Sequence, residues 1–131
     1  MQRILIVEDS ETMRSLLASS LEGLDVPVKI TEASSGFDAL RLLPREDFDL
    51  VVTDINMPDI NGLELVSFVR GNERYRSVAL VIVSTEGSER DQEKGLGLGA
   101  DAYLVKPFEP ETLRQVVSDL LARPRRDPQG G

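Results

Sequence analysis

The chain of 131 residues contains no histidine and no cysteine. Without cysteine there can be no disulfide, no thiolate metal site and no thiol nucleophile. Without histidine there can be no imidazole base, no Ser–His–Asp triad and no histidine-ligated zinc. Any chemistry must therefore run on carboxylates, hydroxyls, lysine and arginine. No apolar run is long enough to cross a bilayer, and the first residues lack the basic, apolar, small-residue order of a signal peptide, so no membrane insertion is expected. Basic charge is also scarce: 15 Lys and Arg stand against 23 Asp and Glu, for a net charge of -8. Nucleic acid is thereby disfavoured as a direct partner, because binding it needs a basic face to neutralise phosphates. The one local basic excess, Arg123, Arg125 and Arg126, lies among prolines near the end of the chain and reads as a solvated tail over residues 123–131.

What is present suits one domain with a single core over residues 1–122. Ile4-Leu5-Ile6-Val7, Leu50-Val51-Val52-Thr53-Asp54 and Leu80-Val81-Ile82-Val83-Ser84 are short continuous apolar runs, the pattern of strands covered on both faces. Val28–Ala33 and Tyr103-Leu104-Val105 read as two further strands. Helical segments alternate with them. Ser10 caps a first helix with Met13, Leu16, Leu17, Leu21 and Leu24 on its apolar stripe, and Ser35 opens a second with Phe37, Leu40 and Leu43, stopped at Pro44. A third follows the turn Met57-Pro58-Asp59-Ile60-Asn61-Gly62, and a less regular one covers residues 88–98. The fifth begins near Pro110, with Leu113, Val116, Val117, Leu120 and Leu121 at helical spacing. Five apolar strands alternating with five helices predict an α/β fold, a five-stranded parallel sheet flanked on both sides, for which the flavodoxin-like order 2-1-3-4-5 is the natural arrangement.

In such a sheet ligands bind beyond the carboxyl ends of the strands. The first strand ends in Glu8-Asp9, the third in Asp54, the fourth in Ser84, and the fifth runs into Lys106. Each alone is ordinary: an acid after a strand is often a cap, a strand-end serine usually bonds backbone, and Lys-Pro is common turn chemistry. Together they place three carboxylates, a hydroxyl and an ammonium at one edge. Three carboxylates in one crevice repel, and a hard cation such as magnesium relieves them. With the cation present, Asp54 can attack a phosphoryl group to give an aspartyl phosphate, while Lys106 and Ser84 contact the phosphoryl oxygens.

Four motifs, in this order, resemble the receiver domains of two-component response regulators over residues 1–122. They are Glu8-Asp9, then Asp54-Ile55-Asn56-Met57-Pro58 with Gly62, then Ser84-Thr85, then Lys106-Pro107-Phe108. The resemblance implies that Asp54 is the phosphoacceptor, charged by a sensor histidine kinase in the cytoplasm. It implies that Glu8, Asp9, Asp54 and the backbone carbonyl of Asn56 hold Mg2+. Ser84 and Tyr103 are implied as switch residues, Asn56, Thr85 and Glu86 as positions that tune phosphate lifetime, and the Lys106–Pro107 peptide as cis. A downstream protein would dock on the face of the fourth helix, fifth strand and fifth helix, with the chain a monomer or weak dimer. Asn56, Glu86 and the stretch Asp9-Ser10-Glu11-Thr12-Met13-Arg14 are most similar to the single-domain chemotaxis-type regulators.

Gly95, Gly97 and Gly99 depart from that pattern, in which only the last is usual; the expectation is a loose fourth helix that Gly95→Ala plus Gly97→Ala would stiffen, altering output without abolishing phosphorylation. The alternatives are an Asp-nucleophile phosphohydrolase of the haloacid dehalogenase type, a flavodoxin-like electron carrier, a receiver acting only as a docking module, a phosphorelay intermediate, and a receiver excised from a longer regulator. Asn56 stands where the hydrolase needs a second aspartate as general acid. Glu8-Asp9-Ser10-Glu11 would repel the phosphate of a flavin.

Overall fold

The first apolar run lies within β1 (Gln2–Val7), and each later strand pairs parallel to a neighbour: β2 (Val28–Ala33), β3 (Leu50–Thr53), β4 (Ala79–Ser84) and β5 (Ala102–Val105). The computed structural model describes residues 1–124, and the expected tail beyond residue 124, with Arg125 and Arg126, lies outside the described residues. Strand order is β2-β1-β3-β4-β5, as the alternation of segments predicts. Between them run α1 (Glu11–Glu22), α2 (Gly36–Leu42), α3 (Gly62–Gly71), α4 (Glu89–Gly97) and α5 (Pro110–Ala122).

Side chains alternate across a strand, so each apolar run feeds two cores. Ile4, Ile6, Leu50, Val52, Val81 and Val83 pack with Leu17 and Leu21 of α1 and with Leu113, Val117 and Leu120 of α5. Leu5, Val7, Val51, Leu80 and Ile82 pack on the other side with Ala39 of α2 and Leu65, Val66 and Val69 of α3. Each large side chain taken fully out of water contributes about 1.5–3 kcal/mol, which is why continuous rather than alternating runs form this sheet. Ser10, Ser35, Asn61 and Ser88 cap α1 to α4, each accepting a backbone N–H three residues on; α5 starts instead with Pro110 in its first turn.

Three expectations are corrected. Leu16 is 41% exposed and Phe37 63% exposed, although both were placed on apolar stripes. At about 100° per residue Leu16 falls to the margin of the stripe through Met13, Leu17, Leu21 and Leu24. Ser20 takes the buried place instead, its hydroxyl satisfied by the Leu16 carbonyl at 2.8 Å. Phe37 is likewise one step off the buried line of Gly36, Ala39 and Leu43. Pro44 does not stop the second helix abruptly: the chain tightens into a 3-10 turn over Leu43–Arg45 that includes it.

At the end of the sheet away from the acidic motifs, Arg70 ties two connections together, the one between α3 and β4 and the one between α4 and β5. Its guanidinium donates to the carbonyls of Gly99 (2.8 Å), Arg76 (3.0 Å) and Val78 (2.6 Å) and pairs with Asp101 at 2.9 Å. Asp101 in turn accepts the Leu80 N–H at 2.8 Å. Removing one partner of a mostly buried pair costs far more than the pair itself contributes. Arg70→Ala is expected to lower unfolding free energy by about 3–5 kcal/mol, read as a fall in urea midpoint at unchanged slope.

The loop between β3 and α3 is held at both ends. Gly62 lies so close to the strand that a Cβ would collide with the Asp54 carbonyl oxygen. Asp59, exposed at the loop's tip, accepts the N–H groups of Gly36 (3.1 Å) and Phe37 (2.8 Å) at the start of α2. The Phe37 N–H, first among these donors, holds the Asp59 carboxyl down from 3.8 to about 2. A depressed carboxylate stabilises the fold above its unfolded pKa and loses that contribution as pH falls through its folded pKa. Asp59→Ala should therefore be less stable than wild type at neutral pH, with the gap closing between pH 3.8 and about 2. Urea unfolding across that range is the check, and a gap independent of pH would count against an ionised clamp.

Candidate active site

Register brings the polar residues to one edge. Val7 pairs with Thr53 and Ser84 with Val105, so Glu8 and Asp54 emerge side by side and Lys106 emerges next to the end of β4. The Lys106 N–H donates to the Ser84 carbonyl at 2.8 Å, and the Asp54 N–H to the Val7 carbonyl at 3.1 Å, which extends the pairing one residue past each strand. The Lys106–Pro107 peptide is cis.

Glu8 is 1% exposed. One of its carboxylate oxygens accepts the Lys106 ammonium at 2.8 Å and the other the Ser10 N–H at 3.0 Å. Burial raises the Glu8 pKa above the usual carboxylate range, against the lowering effect of these two donors. Lys106 also stands 3.6 Å from Asp54, whose other oxygen accepts the Ile55 N–H at 2.7 Å. Asp54 is 8% exposed, so only a small part of it reaches solvent. Asp9 is exposed at the rim. Glu8, Asp9 and Asp54 each offer a carboxylate oxygen, and these lie within 4.8 Å of one another. Three hard oxygen donors, faced by a single ammonium, suit a hard divalent cation of the magnesium or calcium kind.

Ser84 is fully buried, and its Oγ accepts the Glu86 N–H at 3.0 Å. The Glu86 side chain accepts the Asn56 amide at 3.2 Å, joining the loops after β3 and β4. The Glu86 carbonyl accepts the Tyr103 hydroxyl. Partial burial pushes the Tyr103 phenol above its ordinary pKa, favouring the neutral, donating form. Thr85 is exposed between Ser84 and Glu86. Glu8, Asp9, Asp54, Ser84 and Lys106 are thus gathered at one edge, with Asn56, Glu86 and Tyr103 linked beside them.

Two residues that support the site carried little signal. Arg14 donates to the Glu8 carbonyl at 2.9 Å and pairs with Glu32 at 3.2 Å, fixing the turn between β1 and α1 from the first helix. An arginine one turn into an amphipathic helix reads as solvated surface. Asp59 reads as turn chemistry, because its partners are backbone groups 22 and 23 residues away.

Residues 4–118 match the family model described as the response regulator receiver domain. The chemotaxis protein CheY homolog of Campylobacter jejuni is 38% identical over 120 residues, which cover 91% of this chain and 92% of that protein. Among solved structures, the chemotaxis response regulator CheY4 of Vibrio cholerae superposes with a TM-score of 0.83 at 32% identity, covering 92% of this chain and 98% of that one. The BeF3-activated DrrB receiver domain superposes with a TM-score of 0.84 at 28% identity, covering 94% and 99%. A parallel sheet of order 2-1-3-4-5, an acidic cluster at its carboxyl edge and these likenesses agree: the chain belongs to the receiver domains of response regulators, signalling switches activated by phosphorylation.

Proposed function

We propose that Asp54 is the phosphoacceptor of a two-component signalling switch, charged by a sensor histidine kinase in a Mg2+-dependent reaction. The observation that carries this reading is the placement of Asp54 between the acids Glu8 and Asp9 on one side and Lys106 and Ser84 on the other. An Asp54 carboxylate oxygen forms the new P–O bond as the P–N bond to the donor imidazole breaks, its electrons remaining on the ring. Such transfer needs the phosphoryl oxygens neutralised rather than covalent help. Lys106 supplies an ammonium that already faces Asp54, and Ser84 a hydroxyl. Glu8, Asp9, Asp54 and the backbone carbonyl of Asn56 would hold Mg2+, which when bound neutralises charge on the phosphoryl oxygens. Asn56, Thr85 and Glu86 rim the opening and set how readily water reaches the aspartyl phosphate.

The signalling unit spans residues 1–122 and acts in the cytoplasm, as a monomer or weak dimer, through protein contacts on the face of α4, β5 and α5. Leu96 in α4 and Leu98 at its C-terminal end are exposed. The chemotaxis relatives support a role in chemotaxis or motility. Turnover of outside phosphate esters is not expected, because the Asn56 amide cannot protonate a leaving group.

Incubation with acetyl phosphate, with and without Mg2+, tests the reading by intact mass. One alkali-labile, acid-stable phosphate is expected per chain with Mg2+, lost on chelation and in Asp54→Ala. No adduct under any condition, or one that persists in Asp54→Ala, would remove it.

A further inference from the structure

The two glycines inside α4, joined above as one source of looseness, stand in opposite surroundings. Nothing lies within 4 Å of a Cβ built on Gly97. A Cβ on Gly95 would fall 2.8 Å from Ile82 Cδ1 and 3.0 and 3.1 Å from two carbons of the Tyr103 ring. Gly95 is buried, and Ile82 is 0% exposed in the core, so Ile82 has little room to yield. Tyr103 is only half-buried and can yield outward.

We infer that Gly95 is a positioning residue: its missing side chain makes a slot for the Tyr103 ring, and through that ring α4 is fastened to the residue that holds Ser84. The links are contiguous. The ring lies on the α4 backbone at Gly95, its hydroxyl donates to the Glu86 carbonyl, the Glu86 N–H donates to Ser84 Oγ at 3.0 Å, and the Glu86 carboxylate takes the Asn56 amide at 3.2 Å. A shift of α4 thus reaches two groups beside Asp54 through the Tyr103 ring, apart from the helix's own N-terminal link, where Gln92 donates to the Gly87 carbonyl at 3.0 Å. The same slot explains a glycine in a helix interior, where helix propensity alone favours alanine. The inference rests on the Asp54 reading for its meaning in signalling, though not for its geometry.

The experiment compares Gly95→Ala with Gly97→Ala in the full chain, first without any phosphodonor. Both raise helix propensity alike, and only Gly95→Ala fills the slot. In Gly95→Ala the NMR signals of the Tyr103 ring should move, and the Glu86 amide should exchange about tenfold faster or more as its loop opens locally. Gly97→Ala should leave both as in wild type. With acetyl phosphate, Gly95→Ala should alter the rate of phosphate incorporation several-fold, while Gly97→Ala matches wild type. If Gly95→Ala alone does not fold, Ile82→Val with Gly95→Ala removes the Cδ1 contact and carries the same expectations. An unmoved ring and amide, or equal shifts in the two glycine variants, would overturn the slot. A moved ring with an unchanged incorporation rate would overturn its coupling to the pocket. A wild-type chain that takes no phosphate would instead sink the Asp54 reading, while the ring and amide data still judge the slot.

Discussion

The Lys106–Glu8 ion pair is the interaction around which the functional edge is built. It joins residues 98 apart in sequence at 2.8 Å, with the Glu8 side chain 1% exposed. A carboxylate buried so deeply is pushed toward protonation, and the ammonium together with the Ser10 N–H opposes that. Such a pair adds little to stability, because desolvating both ions offsets most of their attraction. Its consequence is placement. Lys106 cannot reach Glu8 unless β1, β3, β4 and β5 lie in register, and once there it also stands 3.6 Å from Asp54. In the proposed switch the same ammonium holds Glu8 and meets the incoming phosphoryl group.

The rest of the site is arranged to keep this charge cluster ordered without closing it. Arg14 holds the turn after β1 through the Glu8 carbonyl, and Asp59 with Gly62 holds the loop after β3. The loop after β4 is held by Ser84, Asn56 and Tyr103, all three through Glu86. Three loops from three strands therefore meet around Asp54, each fastened by a different kind of contact. Side-chain hydrogen bonds of this kind are easily exchanged for water at an exposed rim. The loop after β4, whose links to Ser84, Asn56 and Tyr103 all run through Glu86, is the natural place for a signal to enter or leave.

Much of the fold was legible because its signals are local. Continuous apolar runs state that a strand is covered on both faces, and serines before helical stripes state where helices begin. The strand-end acids, Ser84 and Lys106 were legible because parallel strands bring all their carboxyl ends to one edge. Leu16 and Phe37 were misplaced because an apolar residue at the margin of a stripe gains less than a small or internally bonded neighbour that fits closer. Arg70, Arg14 and Asp59 were invisible because each acts on backbone groups, which any sequence supplies, and the acids that pair with the two arginines, Asp101 and Glu32, lie 31 and 18 residues away. Gly95 and Gly97 are the same letter in one helix, and only the positions of Tyr103 and Ile82 separate a packing requirement from an open surface.

The central claim, that Asp54 is the group which takes the phosphoryl, is tested most directly with beryllofluoride as a stable phosphoryl mimic, followed by fluorine NMR. Wild-type chain with Mg2+ should show protein-bound fluorine signals at one mimic per chain, with concerted shifts at Lys106 and Ser84. Asp54→Ala should show none. Bound signals that survive in Asp54→Ala, or no bound signal in wild type at saturating Mg2+, would contradict the account.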